Sequence, residues 1–369
     1  MPVLNKIIIS DFRNIELQEL EFSPNVNCIS GNNGEGKTNL LDAIYYMSMT
    51  KSAFSASDRF SLRYGADEFS ISAVYDMENG VKSRFALKMT SRGEKKVKRD
   101  DKPYSRVSEH VGVLPVVMVS PSDVSMVSES GEERRRFVNS VLSQMDRMYM
   151  TSLQQYNRLL LQRNRMLKEE CPDRTLLEVV DMKMSSLASM IYEARKRFVE
   201  ELGPVVADYY KALSGDSEHV DIRYETELAE KSLESLFAET FEKDRILKHT
   251  TSGIHRDDFI FLMDGHNIRR YGSQGQQKSF LVSLKFAQYE IMKNKYGFAP
   301  LLLLDDVFDK LDMSRISNLL EMVASKDFGQ IFITDSNKVR MSSIVDGITK
   351  DRAYFETSAG TFTRQKYGV

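Results

Sequence analysis

Gly31-Asn32-Asn33-Gly34-Glu35-Gly36-Lys37-Thr38 is the stretch that decides the fold. Its spacing is G-x-x-x-x-G-K-[ST], that of a phosphate-binding loop. Glycines let consecutive backbone N–H groups curl around a phosphate, and the helix that follows adds the partial positive charge of its N-terminus. Lys37 can reach the β- and γ-phosphates of ATP, and the Thr38 hydroxyl can ligand Mg²⁺. Average residue frequencies produce such a match by accident in about one chain per hundred of this length, so context decides. Upstream, Val26-Asn27-Cys28-Ile29 is a β-like run; downstream, Leu40, Leu41, Ile44 and Met47 recur at helical spacing. Strand, loop and helix stand in the required order, which an ordinary Gly-rich turn does not need.

Such a loop works with a distant acidic strand. Leu301-Leu302-Leu303-Leu304-Asp305-Asp306 is an unbroken apolar run ending in two carboxylates. A fully buried parallel strand reads this way, and ligands sit at the carboxyl ends of such strands. In that setting Asp305 holds Mg²⁺ through water and Asp306 polarises the attacking water; acidic residues that merely cap a strand would look the same. The stretch between Lys37 and Asp305 is far longer than a minimal P-loop core needs, which predicts an inserted lobe.

The pattern outside these two motifs supplies that lobe. Ile7-Ile8-Ile9 opens a strand region, and alternation between Phe69 and Tyr104 predicts antiparallel strands with turns at Asn79-Gly80 and near Arg92-Gly93. Met145, Tyr149, Leu153, Tyr156, Leu160 and Leu167 then step by three and four, predicting one long amphipathic helix that Cys171-Pro172-Asp173 breaks. Leu176, Val180, Met184, Leu187, Ile191, Ala194 and Phe198 predict a second helix of similar length, and the pair an αα-hairpin. A strand at Val220–Tyr224 and a helix at Leu233–Leu247 follow. The expected architecture is an α/β P-loop ATPase head, a mixed sheet with flanking helices, from residues 1–128 and 248–369, with 129–247 as the inserted helical lobe.

Gly272-Ser273-Gln274-Gly275-Gln276-Gln277 precedes a helix bearing Phe280, Leu281, Leu284, Ala287 and Ile291. A Gly/Ser turn at a helix N-terminus is a second anion-binding device, Ser273 offering its hydroxyl and Gly275 a close backbone approach. Ser273 could equally be an ordinary helix cap. One P-loop cannot use both devices on the same phosphate tail without a large rearrangement, whereas two copies facing each other can. The site is therefore expected to be completed by a homodimer.

Composition sets limits. Over 369 residues, 41% hydrophobic and 28% charged are ordinary globular values, and the length favours two lobes. Lys+Arg 51 against Asp+Glu 53 leaves a net charge of −2, so any nucleic-acid contact must be local. Lys95, Lys96 and Lys98, beside a hairpin turn, are one candidate patch, and a solvated strand edge is the alternative. Arg134-Arg135-Arg136 opens a helix, where cations oppose the dipole; a phosphate outside or a carboxylate inside would compensate. Arg163 and Arg165 read as a solvated helix face. His255, beside Arg256 and Asp257, is expected to be structural or at an interface rather than a metal ligand. The apolar runs are too short to span a bilayer, no signal peptide is evident, and Cys28 and Cys171 cannot build a disulfide framework. A cytoplasmic protein is expected.

The order of motifs resembles the SMC-like branch of ABC ATPases. Asp11-Phe12-Arg13-Asn14, Ser120-Pro121-Ser122-Asp123, Arg134-Arg135-Arg136-Phe137, Gly253-Ile254-His255-Arg256-Asp257-Asp258, Ser273-Gln274-Gly275-Gln276-Gln277 and Leu304-Asp305-Asp306-Val307-Phe308 together resemble the RecF family of DNA replication and repair proteins. The resemblance implies ATP binding by Gly31 to Thr38, with Asp305 and Asp306 serving Mg²⁺ and hydrolysis. It implies that Ser273, Gly275 and Gln276 meet the partner's γ-phosphate, that Asp309 and Asp312 lie at the dimer interface, and that Arg13 lies near the phosphates. It further implies slow ATP hydrolysis, ATP-dependent dimerisation on gapped or single-strand/double-strand junction DNA, and recombinase loading with RecO and RecR. Asp306 stands where the wider class has a glutamate, and Thr334-Asp335 where it has a histidine. Two rival readings are a transporter's energy subunit, which would carry a Q-loop glutamine and an apolar coupling groove, and a small-molecule kinase, which would work as a monomer without Ser273.

Overall fold

Strands β1 (Val3–Phe12) and β2 (Ile15–Glu21) open the chain as an antiparallel pair, with Leu4, Ile7, Ile9 and Phe12 turned inward. β3 (Val26–Ser30) is buried along its whole length and runs through the glycine loop into α1 (Lys37–Met49). β4 (Glu68–Asp76), β5 (Lys82–Thr90), β6 (Lys95–Arg99) and β7 (Lys102–Pro103) form the antiparallel meander that alternation predicts. β8 (Val116–Val119) ends this stretch. After it come α2 (Ser125–Ser128), α3 (Gly131–Met145), α4 (Arg147–Met166), α5 (Arg174–Ser214), β9 (Val220–Glu225), α6 (Leu233–Leu247), β10 (Asp258–Met263), β11 (His266–Asn267), α7 (Ile268–Tyr271) and α8 (Gln274–Tyr296). β12 (Leu301–Asp305), β13 (Ile331–Asp335), β14 (Arg352–Ser358) and β15 (Thr361–Gln365) close the chain. This computed structural model describes residues 1–55, 57–78, 80–169, 173–215, 218–307, 328–337 and 349–365. Asp309 and Asp312 lie outside the described residues, as does Cys171.

The chain divides into two compact units, Met1–Asp123 with Lys285–Val369, and Val124–Leu284. In the first, one sheet has the order β2-β1-β4-β5-β6-β7, and a second has the order β15-β14-β3-β13-β12-β8. In the second sheet β8, β12, β13, β3 and β14 are parallel and only β15 is antiparallel. Leu40, Leu41, Ile44 and Met47 of α1 share one core with Ile7, Ile9, Leu87, Leu303 and Phe332. Each such side chain contributes roughly 1.5–3 kcal/mol by leaving water. Phe12, Tyr46 and Phe69 add edge-to-face contacts at 5.1–5.9 Å. The core thus fixes α1, and with it the glycine loop, against the ends of the parallel strands.

The second unit departs from expectation in three ways. Residues 124–128 and 248–284, expected in the head, belong here; β10 pairs antiparallel with β9, and His255, Asp257 and Asp258 bind helices of this unit. The single helix expected through Met145 and Tyr149 is two, α3 and α4: Asp146 interrupts it with an extended backbone, its carboxylate accepting from the N–H groups of Met148 and Tyr149. α5 is not similar in length to its neighbour, with 41 residues against 20 in α4. The apolar stripe continues past Phe198 through Leu202, Val206, Tyr210 and Leu213, all buried, and Pro204 is accommodated inside the helix. No helix among the described residues is long and apolar enough to cross a membrane.

Candidate nucleotide site

Parallel pairing brings the chemistry to one edge. Asp305 of β12 lies level with Thr334 of β13, and Asp335 of β13 with Ser30 of β3, the residue before the loop. Glu356 of β14 pairs with Ser30 from the other side. Loop, acidic strand and the Thr334-Asp335 pair therefore share the carboxyl end of the sheet, where α/β ligands bind.

The loop is tightly built. A Cβ on Gly31 would lie 2.7 Å from the Thr357 carbonyl oxygen, so only glycine fits. Gly36 caps α1 with φ 109°, a conformation glycine adopts without cost. The buried Lys37 ammonium folds back across the curl and donates to the carbonyls of Gly31 (2.8 Å) and Asn32 (3.1 Å). Thr38 Oγ1 lies 2.9 and 3.1 Å from the two oxygens of Asp305. Thr334 Oγ1 donates to Asp305 Oδ1 at 2.7 Å and accepts from the Asp306 N–H at 3.1 Å. Burial pushes the Asp305 carboxyl up from the ordinary range, against Thr334, Thr38 and the Lys37 charge. Asp306 ends the strand with φ 45° and is half-buried. This positive φ is uncommon outside glycine, and Asp is among the residues that tolerate it.

A brace that sequence reading missed holds the loop from outside. The Gly360 N–H (2.9 Å) and the Thr357 hydroxyl (3.1 Å) both donate to the Glu35 carbonyl, and the Ala359 N–H donates to the Glu35 carboxylate. From the β1–β2 turn, Asn14 Nδ2 approaches the same carbonyl at 3.4 Å, and Asn39 Nδ2 donates to Asn14 Oδ1 at 2.7 Å. The only sequence signal was the Ala359-Gly360 turn, which carries no phosphate-loop pattern. Arg13 Nη2 meets Asp42 Oδ2 of α1 at 2.7 Å and Ser52 Oγ at 2.9 Å. Its neighbour Asn14 is the residue that touches the loop.

Ser273, Gly275 and Gln276 lie in the second unit. Ser273 Oγ accepts from the Gln276 N–H at 3.2 Å, so the serine caps α8 within its own chain. The other motifs of this unit are fastenings. Asp258 takes Arg134 in a fork, Nε at 2.8 Å and Nη2 at 2.9 Å, and Arg134 Nη1 also donates to the Met126 carbonyl at 2.8 Å. Burial alone would raise the Asp258 carboxyl, but Arg134 brings it below the ordinary range. Asp257 takes Arg195 of α5 at 2.6 Å and the Tyr224 hydroxyl at 2.6 Å. His255 sits between the Tyr156 hydroxyl (3.1 Å) and the Thr250 carbonyl (3.2 Å), and burial lowers its pKa to about 4. No metal-holding cluster of His, Cys, Asp and Glu occurs among the described residues.

Several expected surface cations are internal. Arg134 is 8% exposed and consumed by Asp258. Arg135 Nη1 donates to the Asp257 carbonyl at 2.6 Å, and only Arg136 is exposed, paired with Glu132 and Glu133. For Arg134 the compensating group is the Asp258 carboxylate of the same unit. Lys95 is likewise held, by Asp58 at 2.7 Å and the Thr50 carbonyl at 2.6 Å. Arg163, read as solvated, is fully buried between Asp181 and Asp244. Lys96 and Lys98 are exposed, on one face of the meander with Lys82, Arg84 and Lys88, while Phe85, Leu87 and Val97 fill the other.

Comparison with known proteins places these features. A family model described as the RecF/RecN/SMC N terminal domain matches residues 3–353. The chain is 41% identical over 358 residues, 97% of this chain and 98% of the relative, to the DNA replication and repair protein RecF of Parabacteroides distasonis. It is 40% identical over 347 residues, 93% of this chain and 96% of the relative, to that of Flavobacterium johnsoniae. A solved structure of the recombination mediator protein RecF with ATP, in the RecFOR pathway, superposes with a TM-score of 0.89 at 28% identity, covering 99% of this chain and 98% of that one. The Smc head domain of Pyrococcus furiosus, at 15% identity and a TM-score of 0.59 over 99% of this chain and 96% of that one, shares the fold.

Proposed function

This chain belongs to the RecF family of DNA replication and repair proteins, and from that premise we propose that it is an ATP-gated switch acting on DNA. Family membership sets aside the transporter and kinase readings. The observation that carries the proposal is the half-buried Thr38–Asp305 pair beside the Lys37 curl. Thr38 and Asp305 offer the hard oxygen donors that Mg²⁺ takes together with phosphate oxygens. Mg²⁺ bound there would neutralise charge on the triphosphate. Lys37 exchanges its two carbonyl partners for β- and γ-phosphate oxygens. Asp306 orients the attacking water; its side chain is one methylene shorter than the glutamate of the wider class, which fits slow turnover.

In this reading the γ-phosphate is completed by Ser273, Gly275 and Gln276 of a second copy. A hydroxyl has one donor and two acceptor positions, so capping α8 through a lone pair leaves the Ser273 proton for a phosphate oxygen. Dimerisation then reports ATP occupancy. DNA, in the form of gapped or single-strand/double-strand junctions, is the partner expected to favour the dimer, with RecO, RecR and the recombinase downstream. For DNA phosphates the exposed face bearing Arg84, Lys88, Lys96 and Lys98 replaces the arginine triplet as the candidate. Sedimentation with ATP, with and without gapped DNA, tests the reading. Asp306→Asn is expected to bind ATP and accumulate dimer; a protein that stays monomeric under all these conditions overturns it. Lys96→Ala and Lys98→Ala should each flatten the salt dependence of DNA binding by about one phosphate's worth.

A further inference from the structure

The Gly272–Gln277 turn is held by a reciprocal pair of bonds. The Ser273 N–H donates to Gln276 Oε1 at 2.7 Å, and the Gln276 N–H donates back to Ser273 Oγ at 3.2 Å. This is a capping box with glutamine at the third helical position. It works only if the Gln276 amide presents its oxygen to Ser273. Rotated by half a turn, the amide would set an NH₂ against an N–H, donor against donor.

What fixes the amide lies in another segment of the same unit. Gln276 Nε2 donates to Glu218 Oε1 at 2.5 Å, and the other Glu218 oxygen accepts from the Tyr210 hydroxyl. Tyr210 is fully buried near the end of α5 and also touches Met263 Sδ at 3.8 Å. The residue after Glu218 is pinned in turn: the His219 N–H donates to Asp264 Oδ1 at 2.9 Å, and the Asp264 N–H to the His219 carbonyl at 2.7 Å. A carboxylate only accepts, so Glu218 admits one orientation of the amide.

We propose that Glu218 is the positioning residue of the serine turn: it selects the Gln276 amide orientation that holds Ser273 in place, and through Tyr210 it ties the turn to the end of the 41-residue helix α5. The inference rests on the reading that Ser273 meets a second copy's nucleotide. Glu218 belongs to the second unit, whereas the phosphate loop of the same chain belongs to the first. Removing Glu218 therefore acts on self-association and not on ATP binding by the protomer.

The test uses the full chain. Glu218→Ala should bind a fluorescent ATP analogue within about twofold of wild type when dilute, yet require about tenfold or more protein to dimerise with ATP, the worth of a charge-assisted bond. Amide exchange at Ser273 should quicken without nucleotide. Gln276→Glu alone should be worse, since two carboxylates then face each other. Glu218→Gln, whose amide oxygen can still accept from Gln276 Nε2, should recover association to within about threefold of wild type. Glu218→Met fills the same space without accepting and should stay as impaired as Glu218→Ala; recovery there as full as in Glu218→Gln would make the role one of packing and overturn the inference. Should Glu218→Ala dimerise as wild type does while Ser273→Arg does not, the inference falls and the shared site stands. Should wild type itself fail to dimerise with ATP, both fall.

Discussion

Replacing Gly360 with alanine should weaken ATP binding although residue 360 touches no nucleotide. The added Cβ would lie 2.3 Å from the Asn14 carbonyl oxygen, a backbone atom that cannot swing aside, and φ at this residue is 81°. Relief requires the β14–β15 turn to move away from the β1–β2 turn, and with it the Gly360 N–H, which donates 2.9 Å to the Glu35 carbonyl. Losing that bond costs about 0.5–1.5 kcal/mol, and a left-handed alanine about 1 kcal/mol more. If most of the sum is charged to the order of the phosphate loop, ATP affinity falls roughly 10- to 50-fold. The assay is titration with a fluorescent ATP analogue at a concentration where the protein is monomeric. Gly93→Ala is the control: its φ is 93°, but nothing lies within 4 Å of the added Cβ. It should carry the same conformational strain and leave ATP affinity unchanged. An affinity for Gly360→Ala within twofold of wild type would refute the brace.

Two further outcomes concern stability. Arg163→Met removes contacts at 2.7 Å to both Asp181 and Asp244 and leaves the buried Asp244 carboxylate without its cation. It should destabilise the helical unit by about 3–5 kcal/mol, whereas Arg165→Met, on an exposed position, should stay within about 0.5 kcal/mol; hydrogen exchange along α4 and α6 separates them. His110 is buried, donates from Nε2 to the Met47 carbonyl at 2.6 Å, and burial lowers its pKa to about 4 from 6.5. The unfolded chain takes up its proton first, so this histidine costs nothing at pH 8 and destabilises the native state as pH falls from 6.5 toward 4. Against His110→Gln, wild type should lose about 2 kcal/mol between pH 8 and pH 5, seen as the shift in urea midpoints; parallel pH profiles would contradict this.

What could be read in advance is what chemistry forces into a few consecutive residues. The Gly31–Thr38 loop and the run ending in Asp305 each announce themselves, because backbone amides need glycines and a buried strand needs apolar neighbours. Even the Thr38–Asp305 contact, spanning 267 positions, follows once both are placed at the ends of parallel strands. The arginines were misread for the opposite reason. Whether Arg163 or Arg134 faces water depends on carboxylates that arrive from 81 and 124 positions away, and local periodicity carries no trace of them. Asp146 was a missed signal of another kind: a capping residue inside an apolar stripe whose period ran on through it. The Glu35–Gly360 brace is illegible in principle from either segment alone, since each looks like an ordinary turn.

The shared site can be tested by complementation. Lys37→Ala lacks a working phosphate loop and Ser273→Arg a working serine turn, so each alone should hydrolyse no ATP. Mixed, they should form heterodimers in which the intact loop of one copy meets the intact turn of the other, and ATPase activity should return to a measurable fraction of wild type. Activity in the mixture no greater than the sum of the separate variants, or full activity in Ser273→Arg alone, would contradict the account.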